Sequence, residues 1–166
     1  MTPADELRRA AALLRTLATE ASVSNSGHPT AHWTVRYQPG PTPDVPPRTD
    51  RSFYLDAVDE VNEKGLGAHR ILHGGGGGSG RPRAASIAPQ YGRYIATMDP
   101  TLGLALADWL DAAAVTYDAT VKGAAGVWSD PTDAAERDAW VAKQTDQHAL
   151  AVARQILGTT DAVTAA

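Results

Sequence analysis

Residues 32–38 read His-Trp-Thr-Val-Arg-Tyr-Gln, and the fold class turns on how this short stretch is read. Trp33, Val35 and Tyr37 alternate with His32, Thr34 and Arg36. A period of two, built from β-branched and aromatic residues, predicts a strand with one apolar face. The flanking sequence is patterned for helices, so a sheet here makes the chain α+β and not a helical bundle. Arg51–Val58 supplies a second strand and Leu66–His73 a third, joined by an acidic turn ending at Gly65. Between the first two, residues 39–50 hold five prolines and few apolar groups, the composition of a long exposed loop.

Outward from the sheet the period changes to 3.6. Thr2-Pro3-Ala4-Asp5 is a helix start, with Thr2 as N-cap and proline at the first helical position. Leu7, Ala11, Leu14 and Ala18 carry that helix to about Ala21, ahead of a Ser-Asn-Ser-Gly turn at 24–27. In the second half, a short helix over Gln90–Thr97 leads into Asp99-Pro100, a second start signal. Leu102, Leu106, Trp109, Leu110, Ala113 and Tyr117 then mark one stripe, which Gly123 and Gly126 are expected to break. Asp130-Pro131 repeats the signal and predicts one helix to Leu157, with Gly158 as C-cap. Val141, Thr145, His148, Val152 and Ile156 form its apolar side, which makes His148 a core or interface histidine. The expected architecture is a single α+β domain over 1–166: an N-terminal helix, a small antiparallel sheet and two long C-terminal helices packed on it. Residues 74–83, opening with a glycine run, read as a flexible loop, and 159–166 as a flexible tail.

Composition narrows the functional classes. A net charge of −4 argues against long nucleic acid as a partner. The absence of cysteine removes disulfides, thiolate metal sites and a cysteine nucleophile. No run approaches the length of a membrane span and no signal peptide opens the chain, so a cytoplasmic location is expected. Aromatic residues are 6% against 43% apolar, so the core should rest on a few large anchors among alanine-lined helix contacts. Such stripes also favour a homo-oligomer.

Candidate chemistry is sparse. His28/His32 and His69/His73 are spaced four apart, which puts each pair on one face, but no third ligand stands at a fixed spacing. Neither metal nor cofactor is expected. Asp56, Asp59, Glu60 and Glu63 crowd a turn between strands, where solvated charge is ordinary. Glycines at 75, 77 and 80 satisfy a dinucleotide-type spacing, yet Arg81-Pro82-Arg83 follows where a helix should start. Three lysines, Lys64, Lys122 and Lys143, leave most of the basic charge on arginine, whose fork suits phosphate oxygens. Arg36 and Arg70 on strands, His69 beside Arg70, Arg93 between Tyr91 and Tyr94, and Trp33 form the candidate ligand-binding set, with no catalytic residue. The alternative for the arginines is a solvated, arginine-rich surface.

Residues 92–117, Gly-Arg-Tyr-Ile-Ala-Thr-Met-Asp-Pro-Thr-Leu-Gly-Leu-Ala-Leu-Ala-Asp-Trp-Leu onward, resemble a module of small phage and prophage accessory proteins, in which a short helix runs through Asp-Pro into a leucine-rich one. His148 to Gly158 adds a likeness to actinobacteriophage members. In outline the chain is similar to the first Thoeris anti-defence family, sponges that bind host immune signals without cleaving them. The resemblance implies sequestration of a cyclic ADP-ribose isomer or a cyclic oligonucleotide, as in Thoeris and CBASS defence, at sites between subunits in the host cytoplasm. Two alternatives stand beside it. One is a protein-binding inhibitor of a host factor that docks through helix 131–157. The other is a phosphodiesterase-like enzyme with His69 or His73 as general base.

Overall fold

The computed structural model describes residues 1–24, 27–36, 44–46, 54–61, 67–71 and 89–158. Among these it is α+β, with five α-helices and a three-stranded antiparallel sheet. The chain divides into two compact units, Met1–Thr16 with Leu104–Ala166, and Leu17–Gly103.

The first unit is helical. Helix α1 (Pro3–Ala21) starts as its sequence predicts. Thr2 Oγ1 accepts the Asp5 N–H at 3.2 Å, while Asp5 Oδ2 accepts the Thr2 N–H at 3.0 Å. Such reciprocal capping satisfies donors that the helix itself cannot. Hydrogen bonds from the Thr2 backbone N–H and hydroxyl hold the Asp5 carboxyl below its ordinary pKa. The core joins Ala4, Leu7, Ala10 and Ala11 of α1 to Ala107, Leu110 and Ala114 of α3 (Pro100–Val127) and to Ala149, Leu150 and Ala153 of α5 (Gln147–Leu157). Three leucines anchor a contact otherwise made of alanine, as the composition implied. At the rim Arg15 Nη2 reaches Asp108 at 2.7 Å and Asp111 at 3.0 Å, Arg8 pairs with Asp118, and Arg154 Nε donates to Glu6 at 2.8 Å.

Two sequence expectations fail in this unit. Gly123 and Gly126 do not break α3, which continues to Val127. A helical glycine costs about 1 kcal/mol relative to alanine, and burial of Ala124 holds this turn in place. The expected helix 131–157 is also not continuous. It is a 3₁₀ turn (Pro131–Asp133), then α4 (Ala134–Gln144), then α5, with an elbow at Thr145-Asp146. Thr145 is extended, with ψ 132°. Asp146 Oδ1 then accepts the N–H groups of His148 and Ala149, each at 3.0 Å, as the N-cap of α5. The new helix has its own register, so His148 is exposed and not in the core. Gly158 closes α5 with φ 65°, as expected of a C-cap glycine.

In the second unit the sheet order is β1-β2-β3, formed by Trp33–Arg36, Tyr54–Val61 and Gly67–Arg70. Trp33 lies opposite Ala57 and Val35 opposite Leu55. Thr34 is exposed where Trp33 and Val35 are half-buried, the alternation read from the sequence. Strand β2 runs three residues beyond the expected Val58, so Asp59 and Glu60 lie in a strand and not in a turn. Helix α2 (Pro89–Thr97) packs against β1 and β2. Between α1 and β1 the chain turns at Gly27, whose N–H donates to Ser24 at 2.8 Å and whose φ of 83° favours glycine. Most of the 39–50 loop, the turn at 62–66, the segment 74–83 and the tail 159–166 lie outside the described residues. No helix among the described residues is long and apolar enough to cross a membrane.

Candidate functional site

A cavity able to take a ligand lies in the helical unit. On α3, Trp109, Ala113, Tyr117, Val121 and Ala125 stand four apart and form one row, a ridge that winds slowly about the helix axis. The far part of this row, from Tyr117 to Ala125, walls a cavity of about 530 Å³. Val141, Ala142 and Thr145 of α4 and its C-cap, and Gln147, Leu150 and Arg154 of α5, make the opposite wall, with Pro3 of α1 at one edge. Arg137 and Asp138 on α4 complete it. This volume falls within the range of roughly 300–1,000 Å³ typical of small-molecule sites.

Its polar groups are few and oriented. Arg154 is held from α1 by its 2.8 Å bond to Glu6, whose side chain is largely buried. Arg137 donates through Nε to Asp138 Oδ1 at 3.2 Å, its one partner among the described residues. A guanidinium fixed through Nε still presents its Nη groups as a fork, the geometry that binds phosphate or carboxylate oxygens. Tyr117 offers a half-buried aromatic face, and Val121, Val141 and Leu150 an aliphatic one. Thr145 and Gln147 add hydrogen-bonding groups suited to reading the edge of a ring.

Of the sequence-derived site residues, Trp33, Tyr91, Arg93 and Tyr94 do not line this cavity. Trp33 is half-buried on β1 and spends its indole N–H on the Thr30 carbonyl at 2.6 Å, so it serves the turn into the sheet. Tyr91, Arg93 and Tyr94 do come together, on exposed turns of α2, where Tyr91 is 62% and Tyr94 69% accessible. They form an exposed surface. Arg36, His69 and Arg70 sit on β1 and β3, and their side chains fall outside the described part of the structure, as do His73, Arg81 and Arg83.

Two polar features of the second unit were not anticipated. Asp56 is 1% accessible at the centre of β2, where its Cα partners are Thr34 and Arg70. His32 Nδ1 lies 3.2 Å from Thr101 Oγ1 and 3.6 Å from Asp99 Oδ2. Asp99 Oδ1 meanwhile caps α3 by accepting the Leu102 N–H at 3.0 Å, as the Asp-Pro signal predicts. Asp99 and Thr101 approach the same imidazole nitrogen and so fix the orientation of His32. No three His, Cys, Asp or Glu side chains among the described residues gather as a metal site.

No family model, curated protein or solved structure matches this chain.

Proposed function

We propose that this protein binds a small nucleotide-type anion in the cavity between α3, α4 and α5 and holds it without cleaving it. What carries this reading is the meeting, in one cavity of about 530 Å³, of two arginines with an aromatic and aliphatic wall. The phosphate would lie on Arg137 and Arg154, and the base against Tyr117 and Val121. The single carboxylate in the lining, Asp138, is already engaged by Arg137, which suits retention better than proton transfer. The likeness in outline to phage anti-defence sponges gives the reading its biological form, sequestration of a host immune signal such as a cyclic ADP-ribose isomer or a cyclic oligonucleotide. The arginines it uses are not those the sequence singled out.

Calorimetry against cyclic ADP-ribose isomers, cyclic mononucleotides and cyclic dinucleotides tests it, with chromatography of the ligand afterwards. Saturable binding of at least one, with the ligand recovered intact, is expected. A charge-assisted hydrogen bond contributes about 1.5–3 kcal/mol, so Arg137→Ala should weaken binding roughly 10- to 100-fold. No heat with any member of the panel would remove the reading, and turnover to a product would replace it with an enzyme.

A second reading rests on α2. Tyr91, Tyr94 and Met98, at spacings of three and four, are all exposed, Met98 at 44%. An aromatic stripe of this kind suits docking to a protein. Capture of a host protein that is lost in Tyr91→Ala/Tyr94→Ala, with no nucleotide bound, would favour it.

A further inference from the structure

The row along α3 lines a second cavity as well. Toward the start of the helix, Trp109, Ala113 and Tyr117 wall a smaller space of about 210 Å³, closed on the other side by Gln144, Thr145 and Asp146. The two linings share Tyr117 and Thr145 and no other residue. At a rise of 1.5 Å per residue, the row from Trp109 to Ala125 covers about 24 Å, with Tyr117 at its midpoint. Over that length the row winds about 160° around the axis, so the two spaces lie on either side of Tyr117, which meets the α4–α5 elbow between them. Tyr117 packs against the buried helical core, so its ring is a supported wall.

The chambers differ in chemistry. Both arginines stand in the larger one. The smaller one holds no cation; its carboxylate, Asp146, is occupied in capping α5, and its largest surface is the flat, partly exposed ring of Trp109. An anionic group is thus directed to the larger chamber, while the smaller suits a second planar ring.

We infer that Tyr117 is the specificity-determining residue of this site. Resting on the nucleotide reading above, the inference is that the partition formed by Tyr117 and Thr145 restricts the ligand to one base, and that shortening Tyr117 opens a second-base subsite on Trp109. Of the two signal classes in that reading, this selects the one-base cyclic ADP-ribose type over cyclic dinucleotides.

The test is calorimetry of the wild-type protein with two probes, cyclic ADP-ribose and cyclic di-AMP. Wild-type protein should prefer the one-base probe by at least tenfold. Tyr117→Val should narrow or reverse that preference by at least tenfold, chiefly by gaining cyclic di-AMP, and that gain should be accompanied by tryptophan quenching that Trp109→Phe abolishes. Adding Ala113→Leu to Tyr117→Val refills the smaller chamber and should restore the wild-type preference. Equal wild-type affinity for both probes overturns the inference while leaving the binding reading intact, and this arm requires no variant to fold. A Tyr117→Val protein of native helicity that loses both probes alike also overturns it. Failure of the wild-type protein to bind either probe or any other nucleotide overturns both.

Discussion

Asp146 is the residue at which two accounts of the C-terminal third make opposite predictions. At an elbow, its Oδ1 satisfies the N–H groups of His148 and Ala149, each at 3.0 Å. Removing the acceptor in Asp146→Ala strands both donors, and replacing an N-cap side chain by alanine costs about 0.5–2 kcal/mol. Loss of a carboxylate from the helix N-terminus adds about 0.3–1 kcal/mol, which brings the expected loss to about 1–3 kcal/mol. In an unbroken helix over 131–157 the same substitution would replace a poor helix former by the best one and stabilise the protein by about 0.5 kcal/mol. Urea denaturation followed by far-ultraviolet circular dichroism and tryptophan fluorescence reads the sign directly. With a urea dependence of roughly 1–3 kcal/mol per molar, the elbow predicts a midpoint lower by roughly 0.3–3 M. Asp146→Asn, which keeps an acceptor, should lose only the charge contribution. A midpoint that stays or rises in Asp146→Ala, or an equal loss in both variants, would refute the capping argument.

Gly123 and Gly126 lie in the interior of α3, and a methyl group added at either meets nothing within 4 Å. Gly123→Ala and Gly126→Ala should therefore each stabilise by about 0.5–1 kcal/mol, read as a raised melting temperature. Leu110 is fully buried at the centre of the alanine-lined core, so Leu110→Ala should destabilise by about 2–5 kcal/mol in the same denaturation assay. The backbone and hydroxyl bonds from Thr2 lower the pKa of Asp5, and those from Thr132 lower that of Asp130. A depressed folded-state pKa gives stability that is full above the ordinary carboxylate value and lost as pH falls through the folded value. Stability should therefore decline below about pH 4, and Thr2→Ala, which removes the Asp5 partner hydroxyl, should make that decline shallower.

Local signals in the sequence carried most of the elements. Thr2-Pro3, Asp99-Pro100 and Gly158 mark helix ends because capping is decided within four residues of chain, and the alternation at Trp33–Arg36 marks a strand for the same reason. Local signals also misled. Gly123 and Gly126 read as a stop because propensity favours one, whereas the turn they occupy carries the buried Ala124. Asp146 was legible in principle, as an N-cap residue ahead of Ala149, Leu150 and Ala153, but the apolar residues on either side masked it as one continuous stripe. Asp59 and Glu60 looked like part of an acidic turn because strand β2 extends through pairing with β3, a partner that no local window contains. The candidate site was the least legible feature. Arg137 and Arg154 have no sequence spacing that links them, and the arginines that stood beside aromatics in the chain, such as Arg93, occupy a surface.

The two errors about helices bear on the same place. Had α3 ended at Gly123, Ala125 would not extend the wall of the larger cavity. Had residues 131–157 formed one helix, Val141 and Leu150, nine residues apart, would point about 180° away from each other, since each residue turns the helix by about 100°. Arg137 and Arg154 would then stand about 25 Å apart along one axis, too far to hold one small anion. The elbow at Thr145-Asp146 removes both obstacles by giving α5 a direction and register of its own, and Val141, Leu150 and both arginines then line one space. The capping bonds of Asp146 thus act on the proposed site without lining its larger chamber. Asp146→Ala should consequently weaken nucleotide binding as well as stability, whereas Leu110→Ala, in protein still folded, should lower stability with a smaller effect on affinity.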